Sequence, residues 1–227
     1  MRLRPWHIAL VAVAFFTAGC EGLGTGAKDS ASSAQPSVIQ KHVVWETDET
    51  IKPTAILLHW TAGYNGGPDA IKAFVRGAEG NMSTYNPALK STDKHPEVGH
   101  VTVQVAVMGN AKAYQLTPEL HSFARHAKCG NKWAIGIEIE GSEPGSGHYI
   151  GDNKPQFDTV VAVVKELMTK YNIKAEGVVA NDGRSGRGIV SHKQVDAECQ
   201  WADGEYAGSG KPDVDDEYLS RVKAAVK

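Results

Sequence analysis

Two histidines and a glutamate hold positions from which they could act together. His59 stands near the end of the apolar run Thr54 to Trp60 (TAILLHW), and His192 follows Gly188 to Ser191. Glu138 interrupts the isoleucine-rich stretch Trp133 to Glu140 (WAIGIEIE). Imidazoles and a carboxylate are the donor types of a catalytic zinc site, and a carboxylate that is not a ligand can move a proton. Each residue alone has an ordinary structural explanation. A strand-end histidine is commonly just hydrogen-bonded, and Glu138 and Glu140 alternate with Ile135, Ile137 and Ile139, as side chains facing water would. Spacing alone supports no more than the suspicion of a metal site.

The elements that must position these residues are legible as alternating strands and helices. Thr54 to Trp60 reads as a buried strand, and the Gly- and Asn-rich stretch after it as a loop opening a helix from Pro68 through about Arg76. Residues 81–97 are polar, Pro-broken and without period, which predicts a long surface loop. His100 to Met108 alternates valines with polar or small residues, the period of a half-buried strand, and Gly109-Asn110 turns it back into a partner at Ala111 to Leu116. Phe157, Val160, Val164, Leu167, Met168 and Tyr171 recur at helical spacing, so residues 156–171 form an amphipathic helix. Gly188 to Ser191 is a short element leading to His192, and Asp215 to Val226 is a closing helix. Interleaved strands and helices predict an α/β fold, a single domain with a central mixed β-sheet flanked by helices.

The first forty residues do not read as fold. Arg2 and Arg4 precede nine apolar residues, Ile8 to Phe16, and Thr17-Ala18-Gly19-Cys20 follows. This is the pattern of a secretory signal peptide, and nine apolar residues cannot span a bilayer core about 30 Å thick. The stretch resembles a bacterial lipobox, although Thr17 stands where Leu is usual. The resemblance implies a lipidated Cys20 and a membrane anchor, and Glu21 after it points to the periplasmic face of the outer membrane. Residues 21–41 are rich in Gly, Ser and Ala and read as a flexible tether, leaving 42–227 as the folded domain. The net charge of −2, with both signs dispersed, gives no sign of a nucleic-acid partner, and a monomer is expected. Beyond Cys20 only Cys129 and Cys199 remain, which an oxidising compartment would allow to pair.

The order of the motifs is more specific than any one of them. ILLHWTAG, GHVTV with its YQL partner, RHA, NKWAIGIEIEG, the Ser191-His192 pair and Lys211-Pro212-Asp213 occur in sequence. Together they resemble the type 2 N-acetylmuramoyl-L-alanine amidases, which include the peptidoglycan recognition proteins, over roughly residues 50–220. The resemblance implies a Zn2+ cofactor held by His59, His192 and Asp213, with peptidoglycan or its fragments as substrate. It makes Glu138 the catalytic glutamate and Lys211 a stabiliser of the oxyanion, and sets His100 and His126 along the substrate cleft. The implied reaction is hydrolysis of the amide between N-acetylmuramic acid and L-alanine.

The third ligand is where the pattern departs. Relatives place this Asp about ten residues after the histidine, whereas Asp213 follows His192 by 21. Asp196, Glu198, Cys199 and Asp203 lie in the gap, and Cys199 stands where some relatives of this fold use a cysteine ligand. Asp213 is favoured by its Lys-x-Asp spacing, with the glycine-rich Gly204 to Gly210 looping out as an insertion. A non-catalytic peptidoglycan-binding module of the same fold is the alternative function, but such members typically lose a zinc ligand.

Overall fold

The β-branched and aliphatic runs pair side by side into one mixed sheet. The computed structural model describes residues 37–45, 47–61, 102–199 and 213–227. Its strands are β1 (Ile39–Lys41), β2 (Ala55–Trp60), β3 (Val105–Val107), β4 (Ala113–Gln115), β5 (Ala134–Ile139), β6 (Val178–Val179) and β7 (Gly186–Ser191). They lie in the order β1-β4-β3-β5-β2-β7-β6. The central strands β3, β5, β2 and β7 run parallel, while β4 and β6 are antiparallel to β3 and β7. Over the described residues the chain is therefore a single α/β domain with a mixed seven-stranded sheet and three helices, as its alternation of elements foretold.

Side-chain alternation gives the sheet two different faces. Ile56, Leu58 and Trp60 of β2 and Ile135, Ile137 and Ile139 of β5 pack on one face. Helix α1 (Lys154–Tyr171) covers them with Val160, Val163, Val164 and Leu167, at the spacing of one helical stripe. Helix α3 (Asp216–Ala225) adds Tyr218, Leu219 and Val222. Asn153 caps α1 by accepting from Gln156 N, and Asp215 caps α3 by accepting from Tyr218 N, each satisfying an orphan donor. The opposite face carries Ala55, Leu57, Ala134 and Val190, packed against Val195 of helix α2 (His192–Glu198).

Three boundaries differ from the sequence reading. Ile39–Lys41, assigned to the tether, pairs with β4 instead, and Val38 N and Ser37 Oγ both donate to the Glu166 carboxylate. Of the strand expected from His100 to Met108, the described residues pair only over Val105–Val107. Ahead of it, Thr102 N donates to Arg125 O, and the Gln104 side chain accepts from Gly136 N, so side chain and loop replace the ladder. Helix α2 begins where the sequence offers only a short element leading to His192. Ser191 and Gln194 form a capping box that starts it directly behind β7. The expected helix at residues 68–76 and the loop at 81–97 lie outside the described residues. Among the described residues no helix is long and apolar enough to cross a membrane.

Candidate active site

Strand register brings three of the chemistry-bearing residues to one edge. In the parallel pair β2–β5, His59 lies directly opposite Glu138, so both side chains leave the sheet on the same face. In the pair β2–β7, Leu58 lies opposite Ser191, which places His192 one position beyond, at the first residue of α2. All three stand at the carboxyl ends of parallel strands, where open α/β sheets hold their ligands. Asp213 arrives from elsewhere in the chain, two residues before the cap of α3. Its backbone carbonyl accepts from Lys193 N, which ties it to the first turn of α2.

Three donors converge there. His59, His192 and Asp213 are buried, and their ligating atoms all lie within 4.8 Å of one another. Asp213 Oδ2 is 2.8 Å from His192 Nδ1 and 3.6 Å from His59 Nδ1. Donors about 2.0–2.1 Å from a tetrahedral zinc would stand about 3.4 Å apart, and these separations straddle that value. Two imidazoles and one carboxylate also match a catalytic donor set that leaves a fourth position open. The residues fit a metal ion.

The outer nitrogens of both histidines are also engaged. His192 Nε2 lies 3.2 Å from Asp196 Oδ1, one helical turn further along α2. His59 Nε2 lies 3.0 Å from His126 Nδ1. Burial would lower the His192 pKa, but the hydrogen bonds to Asp196 and Asp213 outweigh it and raise it to about 9. Burial pushes the Asp213 carboxyl up, yet His192 and His59 hold it far below the usual carboxylate range. His126 is driven well below the ordinary histidine value by burial first, then by His59 and His192. A buried carboxylate facing two imidazoles is a ready cation site.

His126, expected along the cleft, lies against His59: its ring is buried, with its other nitrogen 3.3 Å from Ala134 O. Asn131 fixes its backbone, its side chain accepting from both His126 N and Ala127 N. Glu138 is half-buried on the rim beside His59. Its neighbour Glu140 turns away, buried, and accepts from Gly109 N instead of sharing the rim. His100, Lys211 and Cys20 lie outside the described residues. The sequence offers Asp196 only as one of the residues in the gap before Asp213, and it gives no signal for Gly136. The i, i+4 spacing from His192 would have flagged Asp196 had α2 been recognised.

Cys199 is joined to Cys129 in a disulfide, with Cα atoms 5.9 Å apart. A sulfur so paired is not a thiolate and cannot ligate, which leaves Asp213 as the third donor of the cluster. The bridge fastens the end of α2 to the 3₁₀ turn Lys128–Lys132 that follows His126.

A family model described as N-acetylmuramoyl-L-alanine amidase matches residues 49–205, most of the chain. The chain belongs to the N-acetylmuramoyl-L-alanine amidase family. Two structures of PlyL resemble this amidase. One is 20% identical with a TM-score of 0.50, covering 82% of this chain and 98% of that one. The other, a mutant, is 19% identical with a TM-score of 0.51, covering 83% and 97%. The N-acetylmuramoyl-L-alanine amidase LysC from Clostridium intestinale URNW is 20% identical with a TM-score of 0.47, covering 82% and 95%. At such identities the likeness to the two PlyL structures is one of fold. Among curated protein sequences none matches the chain.

Proposed function

We propose that this amidase is a zinc enzyme that hydrolyses the amide joining the lactyl group of N-acetylmuramic acid to L-alanine in peptidoglycan. The observation that carries the reading is the convergence of His59 Nδ1, His192 Nδ1 and Asp213 Oδ2 beside a half-buried Glu138. His59, His192 and Asp213 would hold the ion. Zinc bound there would supply Lewis acidity toward the scissile carbonyl and lower the pKa of a water. Glu138 takes a proton as the water oxygen attacks the carbonyl carbon. It returns that proton to the amide nitrogen as the C–N bond breaks, so that a lactyl carboxylate and a free alanine amine result. Lys211, two residues before Asp213, is assigned to the negative charge that gathers on the carbonyl oxygen.

The same reading makes the enzyme an exported lipoprotein, anchored through Cys20 and reaching the wall from the periplasmic face of the outer membrane. Its support is the TAGC segment behind the apolar run. The decisive test of the chemistry is mass spectrometry of products from purified muropeptides, with and without a chelator. Release of intact stem peptide from muramic acid, abolished by chelation and restored by zinc, is expected. Cleavage inside the stem peptide, or full activity without metal, would overturn the proposal.

A further inference from the structure

The His59 ring has one nitrogen toward Asp213 and one toward His126, and only a bare Nδ1 can face a cation. Which nitrogen is bare follows from a chain of contacts that ends on the backbone. The Ala134 carbonyl oxygen, 3.3 Å from His126 Nε2, can only accept, so His126 carries a proton on Nε2. The His126 ring is buried, and among the described residues no carboxylate touches it. An unpaired buried imidazolium is costly, so the ring is neutral and its Nδ1 bears a lone pair. Across the 3.0 Å to His59 Nε2, that lone pair can only accept. The shared proton therefore sits on His59 Nε2, which leaves Nδ1, on the side of Asp213, as the nitrogen that can offer a lone pair to a cation.

We propose that His126 is a positioning residue that relays the acceptor character of the Ala134 carbonyl to His59, holding His59 in the tautomer that binds a metal through Nδ1. This rests on the zinc reading above. Strand β5 is shaped for it. A Cβ at Gly136 would lie 2.7 Å from His126 Nδ1, so only glycine lets the imidazole sit over the strand between Ala134 and Glu138. The rings of His59 and His126 meet edge to face, 87° between planes, with the two nitrogens in line for a bond. His192 reaches the same end by another route, with the Asp196 carboxylate on its outer nitrogen. One ligand is thus backed by an anion and the other by a neutral ring, and partners of this kind fix the orientation and tautomer of a metal-binding histidine.

The test uses the purified full-length protein, His126→Phe, which fills the space without an acceptor, and His126→Gln, which keeps one acceptor and one donor. Zinc affinity is measured by competition with a chromophoric chelator. Loss of about 10–100-fold in His126→Phe, largely recovered in His126→Gln, is expected. In the wild type, nitrogen-15 NMR should place the ring protons on Nε2 of both His126 and His59, with a coupling across the N–H···N bond. A proton on His126 Nδ1, or unchanged zinc affinity in folded His126→Phe, would overturn the proposal. If His126→Phe fails to fold, the wild-type tautomers still decide. A wild type that binds no zinc would sink the zinc reading and this inference together, an outcome distinct from zinc bound with equal affinity by both proteins.

Discussion

Asp213 and Cys199 are the two side chains that compete for the third ligand position, and one covalent bond separates them. Because the Cys199 sulfur is bonded to Cys129, Asp213→Ala should release zinc while Cys199→Ser keeps it. The bridge closes a separation of 70 residues, a constraint on the unfolded chain worth about 4 kcal/mol, so Cys199→Ser should unfold at a lower denaturant concentration. Metal analysis paired with denaturation reads both effects, and zinc lost with Cys199 but kept without Asp213 would reverse the assignment. Glu138 is a different case, since its role is to move a proton and not to hold the ion. Glu138→Gln should bind zinc and muropeptide normally while turnover falls about 10²–10⁴-fold. A near-normal rate would show a rim carboxylate with no part in the reaction.

At the scale of elements, β5 does the most positioning, through alternation on one face and a single missing side chain. Gly136→Ala should force the His126 ring off the strand, destabilising the domain by about 1–3 kcal/mol and weakening zinc binding. A variant with unchanged melting temperature and zinc affinity would show that the ring has room to give. The strands that carry His59 and Glu138 were legible in the sequence because β2 is a short, wholly buried and mostly apolar run and β5 alternates isoleucines with other residues, both local properties. Helix α1 was legible for the same kind of reason, its stripe of Val160, Val164 and Leu167. What escaped is set by contacts between distant segments. β1 is three residues of undistinguished composition, held by pairing with β4 and by Glu166. The half of the valine run that leaves the sheet does so because Gln104 spends its side chain on Gly136 and Ser122. Helix α2 is only seven residues, too short for periodicity, although Ser191 to Gln194 spelled its start. The role of His126 depends on a carbonyl eight residues away and a ring on another strand, and no spacing rule encodes that.

The whole domain should register the metal centre through its stability. In the metal-free protein, His192 keeps its proton up to about pH 9, whereas in the unfolded chain it releases it near pH 6.5. Between those values the folded state binds more protons, so stability falls as pH rises, by at most about 1.4 kcal/mol per unit. Below about pH 6.5 this contribution is complete. Asp213, held low, contributes above the ordinary carboxylate range near 3.9 and loses that contribution as acid titrates it. Melting temperature of the metal-free domain should therefore be highest between about pH 4 and 6.5 and decline toward pH 9. A flat profile there would mean that His192 is not gripped by its two carboxylates. The anchor is tested on intact cells: wild type should partition with membranes and Cys20→Ser should not, and wild type found free in the periplasm would reduce the leader to an ordinary signal. The position of Asp213 beyond every strand of the sheet has a consequence for biogenesis. As the polypeptide emerges at about 5–20 residues per second, both histidines and the entire sheet are made before the carboxylate that completes their trio. A nascent chain that stalls or is clipped ahead of that point carries only two of the three donors, so the capacity to hold the ion arrives last.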